Sequence, residues 1–114
     1  MVAEITVQQL AEKLKSPDGF IVLDVREPWE VALAKIKDAR VIVQPMSELG
    51  RRGLDALPEP ARERDAEIYV LCHQGVRSAQ VAGWLAKHGW TNVYSVGGGI
   101  DEYARVIDPE VGVY

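Results

Sequence analysis

The sequence predicts an α/β fold in which a parallel sheet carries helices on both faces. Short apolar runs alternate with stretches of helical periodicity, the pattern of βαβ units. The strongest run, Ile68–Leu71, is apolar or β-branched apart from Tyr69 and does not alternate, as expected for a strand covered on both faces. A chain of 114 residues suits one domain and leaves no room for two.

Thr6 and Gln9 have the spacing of a capping box, with Ile5 and Leu10 placed for a hydrophobic staple. Val7, Leu10, Ala11 and Leu14 make one apolar stripe, so a helix is expected over residues 7–15, broken by Ser16-Pro17-Asp18-Gly19. Phe20–Leu23 reads as a buried strand ending at Asp24-Val25-Arg26. Ligands in open α/β sheets collect at the carboxyl ends of strands, which puts Asp24 and Arg26 in the right zone. Their plainer roles are Asp24 accepting backbone N–H groups and Arg26 pairing with a carboxylate. Pro28 suits a helix start, and Trp29, Ala32, Leu33 and Ile36 are expected to face the core. Val41–Val43 is a further strand. Ser47–Leu49 opens a helix that Gly50 and Gly53 weaken, while Leu49, Leu54 and Leu57 keep contact with the core. Pro58–Asp65 is a charged, proline-broken connection. Asn92–Val96 is the last strand, followed by three glycines that permit close backbone approach. Ile100–Val106 is a short helix with Ile100, Tyr103 and Val106 as the candidates for its inward face, and Glu110–Tyr114 is a tail.

The chemistry concentrates after Leu71. Cys72, the only cysteine, stands at the strand end, and a helical stripe starts near Arg77 and runs to Lys87-His88-Gly89. The loop His73-Gln74-Gly75-Val76 curls into that helix start, where backbone N–H groups lack helical partners and carry partial positive charge. Such a loop makes an anion cradle. Gly75 permits positive φ, and Arg77 brings a fork of donors suited to oxyanions. Helix N-termini and nearby arginines favour the thiolate form of a cysteine. Taken singly, Cys72 reads as a buried hydrophobe and Arg77 as solvated surface; together with Gly75 they read as a nucleophile in a positive cup.

Composition narrows the alternatives. Hydrophobic residues at 47% and charged residues at 26% fit a globular protein rather than a disordered one. Seventeen acidic against thirteen basic residues give a net charge of −4, which argues against nucleic acid as the main partner. A single cysteine excludes an internal disulfide and a CxxC zinc site, so no metal is expected. The N-terminus has no basic-then-apolar layout and no apolar run reaches membrane-spanning length, so a cytoplasmic protein with no membrane partner is expected.

Cys72-x-x-Gly75-x-Arg77-Ser78 after an apolar strand resembles the active-site loop of rhodanese domains, the thiosulfate sulfurtransferases. Leu23–Glu30, Val93–Ile100 and Asp108-Pro109 agree with the family in the family's order, so the resemblance covers nearly the whole chain. Two positions depart from it: Ala34-Lys35 stands where a Gly-His pair is usual, and Tyr103 where many relatives have Trp. The resemblance implies one rhodanese-like domain over residues 1–114, with a central sheet of about five strands. It also implies a Cys72 persulfide held by His73, Gln74, Gly75, Val76, Arg77 and Ser78, with Asp24 and Arg26 as characteristic supporting positions. The implied partners are a small-molecule sulfur donor such as thiosulfate, a thiol or cyanide acceptor, and persulfide-carrying proteins; no cofactor is implied. Two rivals use the same elements. A sulfur carrier or interaction module would hold the persulfide without turning over small molecules. A cysteine phosphatase or arsenate reductase also places a thiolate and an arginine at the ends of a loop, but related phosphatases have one more residue between them. Here Cys72 to Arg77 is six residues.

Overall fold

The computed structural model describes residues 2–114. Five parallel strands form one sheet: β1 (Glu4–Ile5), β2 (Ile21–Asp24), β3 (Val41–Val43), β4 (Ile68–Leu71) and β5 (Val93–Val96), in the order β1-β5-β4-β2-β3. The strand with the most continuous apolar run, β4, is central, as its lack of alternation requires. Two residues of β1 extend the sheet beyond β5, with Ile5 opposite Val96. That strand was not expected. Two residues carry no readable period, and Ile5 had been placed as a helix staple.

The period of two along β4 divides the core. Ile68 and Val70 pack with Leu23, Val25 and Leu49 and with Val81, Ala82 and Leu85 of helix α4 (Val76–Lys87). Tyr69 and Leu71 face the other side, with Val7, Leu10 and Ala11 of α1 (Val7–Lys15) and Ile100 and Tyr103 of α5 (Gly99–Val106). Helix α1 opens with the expected capping box: Gln9 N–H donates to Thr6 Oγ1 at 3.1 Å and Thr6 N–H to Gln9 Oε1 at 2.8 Å. Helix α3 (Met46–Arg52) forms despite Gly50 and stops at Gly53, whose φ of +64° is the left-handed region.

Helix α2 (Pro28–Leu33) corrects an expectation. Trp29 and Leu33 are 64% and 55% exposed rather than inward, and the buried residue of the helix is Glu30. An apolar stripe was the wrong guide in a helix of six residues, because its inward face meets ion pairs at the strand ends instead of the core.

Candidate active site

Leu71 ends β4, and the chain turns within four residues into α4. Gly75 caps that helix at φ +100°, a conformation that favours glycine, and a Cβ there would crowd the Gly98 nitrogen at 3.2 Å. The turn leaves Cys72 on the floor of the loop, 1% exposed. Its Sγ accepts N–H bonds from Gly75 at 3.1 Å and from Ser78 at 3.3 Å. The thiol also donates to Ser78 Oγ at 3.3 Å, and Ser78 Oγ lies 2.8 Å from Ser95 Oγ; both serines are fully buried. Two backbone donors therefore aim at the sulfur from the start of one helix, a geometry that stabilises negative charge there.

A second helix start supports the floor from below. Ile100 N–H donates to the Cys72 carbonyl at 2.9 Å and Asp101 N–H to the His73 carbonyl at 3.0 Å. The last of the three glycines makes this approach possible: Gly99 has φ +61°, and a Cβ on it would meet the Cys72 carbonyl oxygen at 2.6 Å. The expectation that the glycines support the loop is met at this residue.

The arrangement at Arg77 differs from expectation. Its fork is not free for an anion: Nη1 and Nη2 donate to Glu30 Oε1 and Oε2 at 2.7 and 2.8 Å. Glu30 Oε1 also accepts Glu27 N–H at 3.1 Å. Pairing with Arg77 holds the Glu30 carboxyl at about 2 although burial opposes it, and the same pair raises Arg77 above the usual arginine value. The other expected residues separate by depth. Arg26 is completely buried and clamps Asp24 through Nε at 2.9 Å and Nη2 at 2.7 Å at the end of β2. Burial opposes the Arg26 charge, and Asp24 more than offsets it. Gln74 and Val76 are exposed at the rim, Val76 by 69%.

His73 packs against the C-terminal segment, and its Nε2 is buried without a hydrogen-bond partner among the described residues. Its ring lies on that of Tyr114, with centroids 4.0 Å apart and 14° between planes. Tyr114 Oη donates to Glu30 Oε2 at 2.8 Å and accepts from Arg26 Nη1 at 3.2 Å. Glu30, Ser95 and Tyr114 were not singled out as site residues. Glu30 had a usable signal, since Pro28 at a helix start puts it in the first turn beside the strand ends. Tyr114 had none, because its contacts span 84 and 88 positions.

The chain belongs to the rhodanese-like domain family, whose model matches residues 6–105. It is 32% identical over 114 residues to a protein named Sulfurtransferase from Allochromatium vinosum, covering 96% of this chain and 99% of that one. It is 35% identical over 116 residues to Rhodanese-like/PpiC domain-containing protein 12, chloroplastic, of Arabidopsis thaliana, covering 99% of this chain but only 38% of that protein. A solved rhodanese-related protein from Thermoplasma volcanium superposes with a TM-score of 0.71 at 36% identity, covering 90% of this chain and 91% of that one. Relatives with this domain include proteins named as a sulfurtransferase, a putative sulfur carrier and tRNA uridine(34) hydroxylases. No helix among the described residues is long and apolar enough to cross a membrane.

The Glu30–Arg77 pair predicts a pH dependence. Glu30 is lowered from an ordinary 4.5 to about 2, so its contribution is fully present above 4.5 and is lost as pH falls toward 2. At about 1.4 kcal/mol per pH unit the loss is about 3 kcal/mol. Urea unfolding of wild type should weaken by roughly this amount between neutral and strongly acidic pH, and Glu30→Gln should flatten that slope. An equal slope in both proteins would remove the pair from the account.

Proposed function

We propose that this domain is a sulfurtransferase that carries sulfane sulfur as a persulfide on Cys72. The observation that carries this reading is the pair of N–H groups, from Gly75 and Ser78, aimed at a sulfur on the floor of a six-residue loop. In the first half-reaction the Cys72 thiolate attacks the outer sulfur of the donor. A new S–S bond forms, the donor's S–S bond breaks, and sulfite leaves thiosulfate, or a thiolate leaves a persulfide, with the electron pair. The terminal sulfur of the Cys72 persulfide then sits within the loop amides. In the second half-reaction cyanide or a thiol attacks that terminal sulfur and Cys72 leaves as the thiolate. Two half-reactions through one covalent intermediate give ping-pong kinetics. His73, Gln74, Gly75 and Val76 shape the cup, Ser78 holds the sulfur, and no step needs a metal or organic cofactor.

The Glu30–Arg77 pair bears on the donor. A guanidinium with both forks on a buried carboxylate offers no free charge to the thiosulfate dianion, which is left with the loop amides. A persulfide with its single negative charge needs less, so a protein or small-molecule persulfide is the donor this loop favours. A carrier charged by a desulfurase and read by a partner uses the same first half-reaction.

The test is a comparison of sulfur transfer from thiosulfate, sulfur transfer from a glutathione persulfide, and release of phosphate from an aryl phosphate. We expect transfer from both donors, faster from the persulfide, and no Cys72-dependent phosphate release. A loop of this size keeps phosphorus too far from the thiolate, and misplacement by about 1 Å costs ~100-fold. Phosphate release that disappears in Cys72→Ser, without sulfur transfer in wild type, would overturn the assignment. Loading of Cys72 without turnover would assign the carrier role.

A further inference from the structure

Two positions of the Cys72 loop are tied to one side chain. His73, the second residue of the loop, lies flat on the Tyr114 ring at 4.0 Å. Arg77, its last residue, is held by Glu30, and Glu30 Oε2 receives the Tyr114 hydroxyl at 2.8 Å. The Tyr114 phenol oxygen in turn accepts from Arg26 Nη1 at 3.2 Å, so the phenol is also fixed to the buried Asp24–Arg26 pair at the end of β2. Burial raises the Tyr114 phenol, and Glu30 adds to this against the opposing effect of Arg26, which keeps the hydroxyl proton in place to be donated.

The segment that delivers Tyr114 is itself seated. Asp108 caps a short turn by accepting Glu110 N–H at 3.0 Å, and Val111 carbonyl accepts Lys35 N–H at 3.3 Å. Gly112 passes so close that a Cβ on it would lie 3.0 Å from the Leu33 carbonyl oxygen. Trp29 then covers the outer edge of the Tyr114 ring, at 6.4 Å and 76°. What read as a tail is a strap crossing the end of α2 and finishing beneath the loop's flank.

We propose that Tyr114 is a positioning residue for the persulfide loop, fixing the separation of His73 and Arg77 through its ring on one side and its hydroxyl on the other. The proposal rests on the reading of Cys72 as the sulfur-bearing residue. Its physical content is that the Gly75 amide lies between these two anchors and the Ser78 amide follows directly on the second. A loop released at both anchors lets the amides drift from the sulfur, and errors of about 1 Å in such placement cost up to ~100-fold in rate.

Tyr114→Phe keeps the stack on His73 and loses both hydroxyl bonds; Tyr114→Leu loses the stack as well while keeping bulk. Sulfur transfer from glutathione persulfide and alkylation of Cys72 by iodoacetamide would be measured on each, well below the unfolding midpoint. The shift of the His73 ring protons by NMR reports the stack. We expect Tyr114→Leu to lower the transfer rate by about 10-fold or more, acting on kcat rather than KM, and Tyr114→Phe to recover part of it. In the His73→Ala background, Tyr114→Leu should cost less, because the ring contact is already gone and only the hydroxyl bonds remain to be lost. The His73 ring-current shift should vanish in Tyr114→Leu and persist in Tyr114→Phe. Wild-type transfer and alkylation rates in Tyr114→Leu, or full additivity with His73→Ala, would overturn the proposal. Should wild type transfer no sulfur from any donor, the proposed function fails. The alkylation rates and the NMR shift would still decide whether Tyr114 positions the loop.

Discussion

Replacing Cys72 by serine is expected to abolish sulfur transfer while leaving the fold in place. The serine oxygen inherits the two N–H donors, from Gly75 and Ser78, and the contact to Ser78 Oγ, so no buried polar group loses its partner. The hydroxyl cannot form a persulfide, and no other cysteine exists in the chain to take over. Covalent catalysis through one nucleophile leaves little behind when that nucleophile goes, so the turnover should fall by at least about 1,000-fold. The unfolding midpoint of the variant should stay close to that of wild type. Appreciable transfer by folded Cys72→Ser would mean that the reaction does not pass through this sulfur.

Gly99→Ala should be the most disruptive single methyl group near the site. At φ +61° a side chain is strained whatever the space, and here the Cβ would also lie 2.6 Å from the Cys72 carbonyl oxygen. Nothing flexible lies in the way: the obstacle is the backbone of the loop. Either α5 moves off, breaking the bonds from Ile100 and Asp101 to the loop carbonyls, or the loop itself shifts. Strain and overlap together should cost about 3 kcal/mol of stability. The surviving folded protein should load sulfur at Cys72 more slowly than wild type. Chemical denaturation and a loading time course would measure the two effects, and an unchanged protein would show that α5 does not set the floor of the loop. Gly19→Ala, where a Cβ meets nothing within 4 Å, is the matching control.

Much of this was legible in the sequence, for identifiable reasons. The continuous run Ile68–Leu71 marked the central strand because burial on both faces leaves no room for alternation. Cys72, Gly75 and Ser78 were legible because a strand end, a turn and a helix start follow each other within a few residues, where local rules decide geometry. Trp29 was misread because helical periodicity reports a core only when the helix is long enough to lie along one. Arg77 was found as the loop's last residue but not its occupation by Glu30, since the two stand 47 positions apart and only the β2–β4 pairing brings their elements together. Tyr114 lay beyond sequence reasoning altogether: its segment has no period, and its partners are set by tertiary packing.

The central claim is that Cys72 holds transferable sulfur, and intact mass spectrometry tests it most directly. After incubation with a glutathione persulfide and removal of excess donor, wild type should gain the mass of one sulfur atom. Peptide mapping should place it on Cys72, and dithiothreitol should remove it, while Cys72→Ser treated alike should gain nothing. A wild-type protein that keeps its mass through treatment with both persulfide and thiosulfate, while its Cys72 remains open to alkylation, would contradict the account.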